Sequence, residues 1–214
     1  MKPMISGQQE AFILVLILPG NLYSNTRFNM KKKGSLYLLI IMFIFASYSL
    51  EAQKMGIKSS TISFFSDGLL EDIAAVNTAS QAILNLEDGA FFLRIPITSF
   101  EFPNQLMQEH FNENYLESEK FPTAMFKGKL NRKFELGKIE NTIFEAQGEL
   151  MIHGIAQERT IVIDISDEKK GIKVQGKFDV ALEDHDIEIP SLLFQKIAEI
   201  IAVDIEIHLT ELKP

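Results

Sequence analysis

Catalysis needs reactive side chains at close spacing, and this chain offers few. His110 with Glu109 and Glu113 is the best cluster, because His110 and Glu113 are three apart and share a face of any helix that reaches Glu113. A working zinc site needs at least three protein ligands, usually with two nitrogen or sulfur donors close together. The other histidines do not supply them: His153 falls at a turn, His185 between Asp184 and Asp186, and His208 on the outward face of the last strand. A metal- or carboxylate-dependent enzyme using His110 and Glu113 is the alternative reading; a histidine that orders a helix end is the preferred one. Asp184-His185-Asp186 has carboxylates for a divalent cation but not the ligand count of a calcium loop, so it reads as a solvated turn. Glu113, Glu117 and Glu119 read as solvated surface, or as a clasp held by Lys120 or Lys127. No Gly-x-Ser-x-Gly, phosphate loop or Gly-x-Gly-x-x-Gly occurs. The expectation is no catalytic residue, no metal and no cofactor.

What remains is an apolar interior. Seventeen phenylalanines and no tryptophan form a marked bias, and Phe64, Phe91, Phe126, Phe144 and Phe178 fall on faces expected to point inward. Small eight-stranded barrels are often filled by such side chains, so a filled-core structural or interaction protein is one reading. A tunnel for an apolar chain is the other, with Leu93, Gly148, Ile163, Gly176 and Val203 added to its expected lining. A bound apolar chain would then be the ligand.

The elements that must position these residues are mostly strands. Strict alternation predicts strands at 57–65, 90–98, 123–130, 140–152, 159–166, 172–182 and 201–209, with a weaker one at 76–86. Residues 67–75 read as a turn and a helical fragment or irregular crossing, and 167–171 as a polar hairpin loop. Each strand is apolar on one face only, which indicates an antiparallel sheet. Eight such strands suit a closed barrel or a two-sheet sandwich. Gly128, Gly148 and Gly176 fall on the apolar face, where glycine is useful only if the sheet coils sharply or something approaches closely, and this favours the barrel. Two short helices are expected, one opening at Pro103 and one over 191–199 after Pro190. Leu106, Met107 and Phe111 of the first and Leu193 of the second would plug the barrel ends.

The N-terminus speaks to compartment. Lys31, Lys32 and Lys33 precede an apolar run, 36–46 (LYLLIIMFIFA), and a small polar tail, 47–52, so cleavage after Ala52 of a secretory signal peptide over 30–52 is expected. The run is short for a membrane span, which takes ~20 residues. Residues 1–29 do not fit a signal peptide; Met30 is read as the initiator and 1–29 as a start-site artefact or an unstructured extension. Residues 53–214 form one domain. Without residues 1–52 the chain carries 16 basic and 27 acidic residues, a net charge of −11. That disfavours nucleic acid and anionic membranes as partners. Lacking cysteine, the chain has no thiol nucleophile, disulfide or cysteine-linked lipid anchor. No stable membrane insertion of the mature chain is expected; a homodimer is compatible with everything above.

Three stretches carry a resemblance. EHFNENYLESEKFPTAMFKG (109–128), GELMIHGIAQERTI (148–161) and DHDIEIPSLLFQKIAEIIAVDIEI (184–207) resemble segments of the YceI-like family, especially its secreted bacterial branch. The opening departs from the better-known branch, with SSTISFFSDG where that branch has an Asp-x-x-His-Ser-x-x-x-Phe-type start. The resemblance implies an all-β fold, an eight-stranded antiparallel lipocalin-like barrel, holding a polyisoprenoid or similar amphiphile in a periplasmic or secreted, stress-linked protein without catalytic activity.

Overall fold

The computed structural model describes residues 54–67, 72–189 and 198–212. Their strands are β1 (Lys54–Ser66), β2 (Ile73–Asn77), β3 (Gln81–Asn85), β4 (Ala90–Pro96), β5 (Phe100–Glu101), β6 (Thr123–Leu130), β7 (Thr142–Ile152), β8 (Ile155–Glu168), β9 (Gly171–Ala181) and β10 (Ile200–Glu211), with one short helix, α1 (Gln105–His110). All pairings are antiparallel, and β1 pairs with β10 from Met55–Glu211 to Phe65–Ala202, closing the sheet into an eight-stranded barrel.

Ten strands make eight staves because two staves are broken. β2 and β3 keep one register on β1: Ile62 faces Asn77 and Gly56 faces Ile83, six residues apart on each side. They are one stave interrupted at 78–80, where the sequence reads as one weak strand. Asn77, fully buried, holds the interruption. Its Oδ1 accepts from the Ala79 N–H (2.9 Å) and the Ser80 hydroxyl (3.1 Å), while its Nδ2 donates to the Pro96 carbonyl (2.8 Å). Pro96 ends β4 where the next stave breaks, as a residue without an N–H must. Beyond it, β5 follows β2, Asn77 facing Phe100, rather than rejoining β6. The reading of 67–75 as a turn and helical crossing is corrected at its end, since 73–75 belong to β2; residues 68–71 lie outside the described set.

A bulge at Lys58 shifts the β1–β10 register and swaps the faces of β1. Met55 and Ile57 point inward before it; Ser60, Ile62 and Phe64 do so after it. At the β7–β8 turn, His153 (φ 50°) and Gly154 (φ 76°) join a two-residue hairpin in which both central residues are left-handed.

The helices differ from expectation. α1 starts at Gln105, one residue after its cap: Asn104 Oδ1 accepts from the Leu106 N–H at 2.9 Å, so Pro103 precedes the cap instead of opening the helix. The helix then widens into a π-turn, Phe111–Tyr115. Leu106 is 57% exposed and plugs nothing. The expected second helix, with Leu193, lies mainly outside the described residues; Ala198 and Glu199 are not helical. Instead of a helix, the 131–141 loop closes the far end, packing Phe134, Leu136 and Ile139 onto the core. Asp167 accepts from the Gly137 and Ile139 N–H groups (3.1 and 2.7 Å) and so ties that loop down.

Gly128 and Gly148 face each other across β6 and β7. A Cβ on Gly148 would sit 2.1 Å from the Lys127 carbonyl oxygen, and one on Gly128 2.0 Å from that of Gln147. Backbone meets backbone there, which is what lets the wall coil. Over Gly176 the neighbours are side chains, Ile163 at 3.0 Å and Ile205 at 3.4 Å, which can shift. Gly148→Ala should therefore cost about 3 kcal/mol or more and Gly176→Ala about 1 kcal/mol. Urea unfolding of the two variants, at matched slope, checks the order.

Candidate ligand-binding site

Alternation sends one residue in two of every stave inward, and the interior they enclose is not full. An upper cavity of about 150 Å³ is bounded by Phe64, Phe111, Tyr115, Leu182, Ile187 and Ile201, among others. A lower one of about 100 Å³ is bounded by Phe91, Leu93, Phe126, Ile163, Val174 and Ile207, among others. Ile62, Ile95, Leu150, Phe178 and Val203 border both, so the two are chambers of one space. Ser66 and Tyr115 carry the hydroxyls of the upper wall, and the Ser66 Oγ is already engaged, accepting from the Ala198 N–H at 3.0 Å. Walls of this kind offer water almost no hydrogen-bond partner and suit an apolar guest better.

Rings gather at the upper end. Phe111 packs on Phe64, Phe100 and Phe102 with centroids 5.5, 5.5 and 5.0 Å away, and Phe64 meets Phe100 and Phe102 at 5.4 and 5.8 Å. The π-turn puts Phe111 and Tyr115, four apart, on one face over the chamber. The broken stave sends Phe100 and Phe102 to meet them.

The residues anticipated from sequence separate into three groups. Phe64 borders the upper chamber, Phe91, Leu93, Phe126 and Ile163 the lower, and Phe178 and Val203 both; Phe111 covers the upper chamber. Gly148 and Gly176 lie in the wall, the first against backbone and the second beneath Ile163 and Ile205. Phe144 lies below the chambers, 2% exposed, edge-on to Phe134 (5.3 Å) with the Arg132 guanidinium 4.6 Å from its ring centre. Met107 is half-buried on α1 and borders neither chamber. Strand alternation also puts Ile62, Ile95 and Leu150 inward, though they were not counted in the expected lining; Phe100 and Phe102 were not singled out, yet alternating directly after a strand they carried a readable signal.

The polar residues above the chambers form a pin. His153 Nδ1 donates to the His185 carbonyl (3.2 Å), and its Nε2 lies 3.1 Å from Glu117 Oε2. Glu117 also takes an ion pair from Lys120; these two hydrogen bonds, Lys120 first, hold its carboxyl below the usual glutamate range. The pin joins the segment after the π-turn, the β7–β8 hairpin and the turn after β9. Of the three glutamates read as a clasp, Glu117 performs it; Glu113 and Glu119 are exposed and Lys127 pairs with Glu149. Glu109 is exposed, and His110 has no hydrogen-bond partner among the described residues, which also hold no cluster of His, Asp and Glu suited to a metal.

The reading of Asp184-His185-Asp186 as a solvated turn is corrected at its centre. His185 is 1% exposed, and its Nδ1 donates to the Ile155 carbonyl at 3.1 Å. Asp184 pairs with Arg159 (3.5 Å), and Asp186 takes the left-handed conformation (φ 54°) that turns the chain under the ring. Burial, the largest influence, pushes the His185 imidazole below the ordinary histidine range. His208, whose Nδ1 lies 2.9 Å from Glu168, is pushed up by that hydrogen bond first. Because His185 is depressed, its contribution to stability is complete above its unfolded pKa of about 6.5 and is lost as pH falls toward the folded value. For His208 the contribution is complete below about 6.5 and is lost as pH rises through its raised value. Thermal melts should show that His185→Gln flattens the profile below pH ~6.5 and His208→Gln flattens it above.

A family model described as the YceI-like domain matches residues 48–209. A polyisoprenoid binding domain from Saccharophagus degradans, implicated in plant cell wall breakdown, superposes with a TM-score of 0.64 at 13% identity, covering 74% of this chain and 98% of that one. BcnA of Burkholderia cenocepacia gives 0.54 at 15% identity, covering 70% and 94%. At these identities the likeness is one of fold. No curated protein matches the chain.

Proposed function

The chain belongs to the YceI-like family, and from that premise we propose that it is a lipid-binding protein that sequesters or carries an isoprenoid-type amphiphile in its barrel. The observation that supports this is the interior itself: two adjoining chambers, about 150 and 100 Å³, with walls that offer almost nothing but hydrocarbon. Filling them recovers transfer and packing energy without polar chemistry. At ~24 cal/mol per Å³ of void, or ~0.8 kcal/mol per buried CH₂, ten buried carbons give about 6–8 kcal/mol gross. Ordering the partners costs several kcal/mol, so the cap and the part of the ligand at the mouth must add to the affinity. The protein acts by holding its ligand, not by transforming it.

The mouth supports an uncharged polar end. The segments 105–121 and 182–188, which cover the upper chamber, carry eight carboxylates (Glu109, Glu113, Glu117, Glu119, Glu183, Asp184, Asp186, Glu188) against Lys120. Glu117 and Asp184 have ion-pair partners; the other six have none among the described residues. A phosphate or fatty-acid head would approach like charge, whereas an alcohol or quinone would not. Secretion is part of the proposal, on the basic and apolar pattern of 31–46; no helix among the described residues is long and apolar enough to cross a membrane.

Protein purified from its own host and sprayed under native conditions should carry a lipid mass, and empty protein should take up added prenols. An empty mass with no uptake at any concentration would sink the reading. A prenol should bind about tenfold more tightly than the prenyl phosphate of equal length at low salt, with the gap shrinking toward 0.5 M, where screening reaches a few Å. The intact mass of the exported protein should correspond to a start at Gln53.

A further inference from the structure

The five side chains that border both chambers form a waist, and Phe178 is the one aromatic ring among Ile62, Ile95, Leu150, Phe178 and Val203. It sits opposite Val203 on β10. Two residues before it on the same face is Gly176, whose empty side-chain position is taken by Ile163 and Ile205 leaning in from both neighbouring strands. The wall next to the ring is therefore filled, and the ring takes up space where the upper and lower chambers meet. A smaller side chain there would add its missing volume to the two chambers.

We propose that Phe178 determines the length of chain the barrel accepts, restricting it to about two isoprene units, one in each chamber. The proposal rests on the isoprenoid-binding reading above and adds a limit to it. The size follows from volume. A dry cavity of about 150 Å³ holds a guest the size of benzene, so the combined 250 Å³ here holds roughly ten carbons. A longer chain would have to remain outside the mouth or displace Phe178 from the space it occupies. The lower chamber ends at Leu130 and Leu209, with Phe144 and the 131–141 loop beneath, so the chain has no exit through the floor.

Calorimetry on the mature protein, with linear prenols of one to four isoprene units delivered from mild detergent, tests this. Wild-type affinity should climb from one unit to two and then level, changing less than about threefold per further unit, because carbons beyond the second unit find no void to fill. Phe178→Ala should extend the climb to the third unit, with about a tenfold gain over wild type for the three-unit prenol. Ala82→Leu, which fills the lower chamber from β3, should move the plateau down to one unit. Phe178→Leu, which retains most of the apolar contact, serves where the alanine variant does not fold, and should give a smaller shift the same way. If wild-type affinity keeps climbing steeply through four units and the Phe178 variants follow the same curve, the length limit is wrong while the binding function stands. If no prenol of any length binds the wild type, the isoprenoid reading fails, and the limit with it.

Discussion

Closure of the sheet on itself governs everything else in this molecule. Once β1 and β10 pair along their length, every stave has partners on both sides and the wall presents no edge along that seam. The same ladder commits each strand to one inward and one outward set of side chains, because a one-residue slip would exchange them. An eight-stranded barrel has an interior just wide enough for side chains to fill or for one small guest. Whether it is filled or hollow is then decided residue by residue. Here large rings gather at the top, around Phe111, and at the floor, around Phe144, while between them the walls carry mainly aliphatic side chains. The void is the space those shorter side chains do not reach.

Coiling the wall tightly enough to close also explains glycines that would otherwise look wasteful. At Gly128 and Gly148 the two backbones come closer than any side chain allows. Gly176 differs: there two isoleucines close over the gap. Both kinds occupy inward positions, and an alternation pattern cannot tell a glycine that makes room for a ligand from one that makes room for another strand. The distinction lies in the neighbour across the ladder, and register is a property of the folded sheet.

The same limit describes what was readable beforehand. The clean strands β4 and β6 to β10 were legible because half-buried antiparallel staves alternate strictly, and Phe91, Leu93, Phe126, Ile163, Phe178 and Val203 could be placed inward on that basis. Departures from period two were not. The bulge at Lys58 exchanges the faces of β1, the break at 78–80 hides a second stave segment, and the floor loop has no periodicity to read. His185 looked solvated because acidic residues flank it; the turn at Asp186 instead folds the ring inward. Leu106 looked like a plug because it is apolar on a helix near Phe111, but the face that packs runs through Phe111 and Tyr115. Local pattern shows which residues prefer burial, and only the tertiary path shows which of them obtain it.

The two ends of the barrel are built differently, and the difference gives the interior a direction. At the floor, the 131–141 loop is tied by both Asp167 oxygens and packed with Phe134, Leu136 and Ile139. Several backbone bonds and a ring cluster would have to break together to open it. At the top, the cover is a six-residue helix and a π-turn, joined to the β7–β8 hairpin and to the turn after β9 through His153 and Glu117. The Glu117 end of that pin is 35% exposed, where an ion pair contributes little. The top cover rests mainly on apolar packing, Phe111 on three rings and Leu116 and Ile187 buried beneath, and such non-directional contacts can be exchanged for contacts with an apolar guest. On the proposed function, a guest that entered there would meet rings first, then the side chains around Phe178, and would keep its polar end among the carboxylates of the rim.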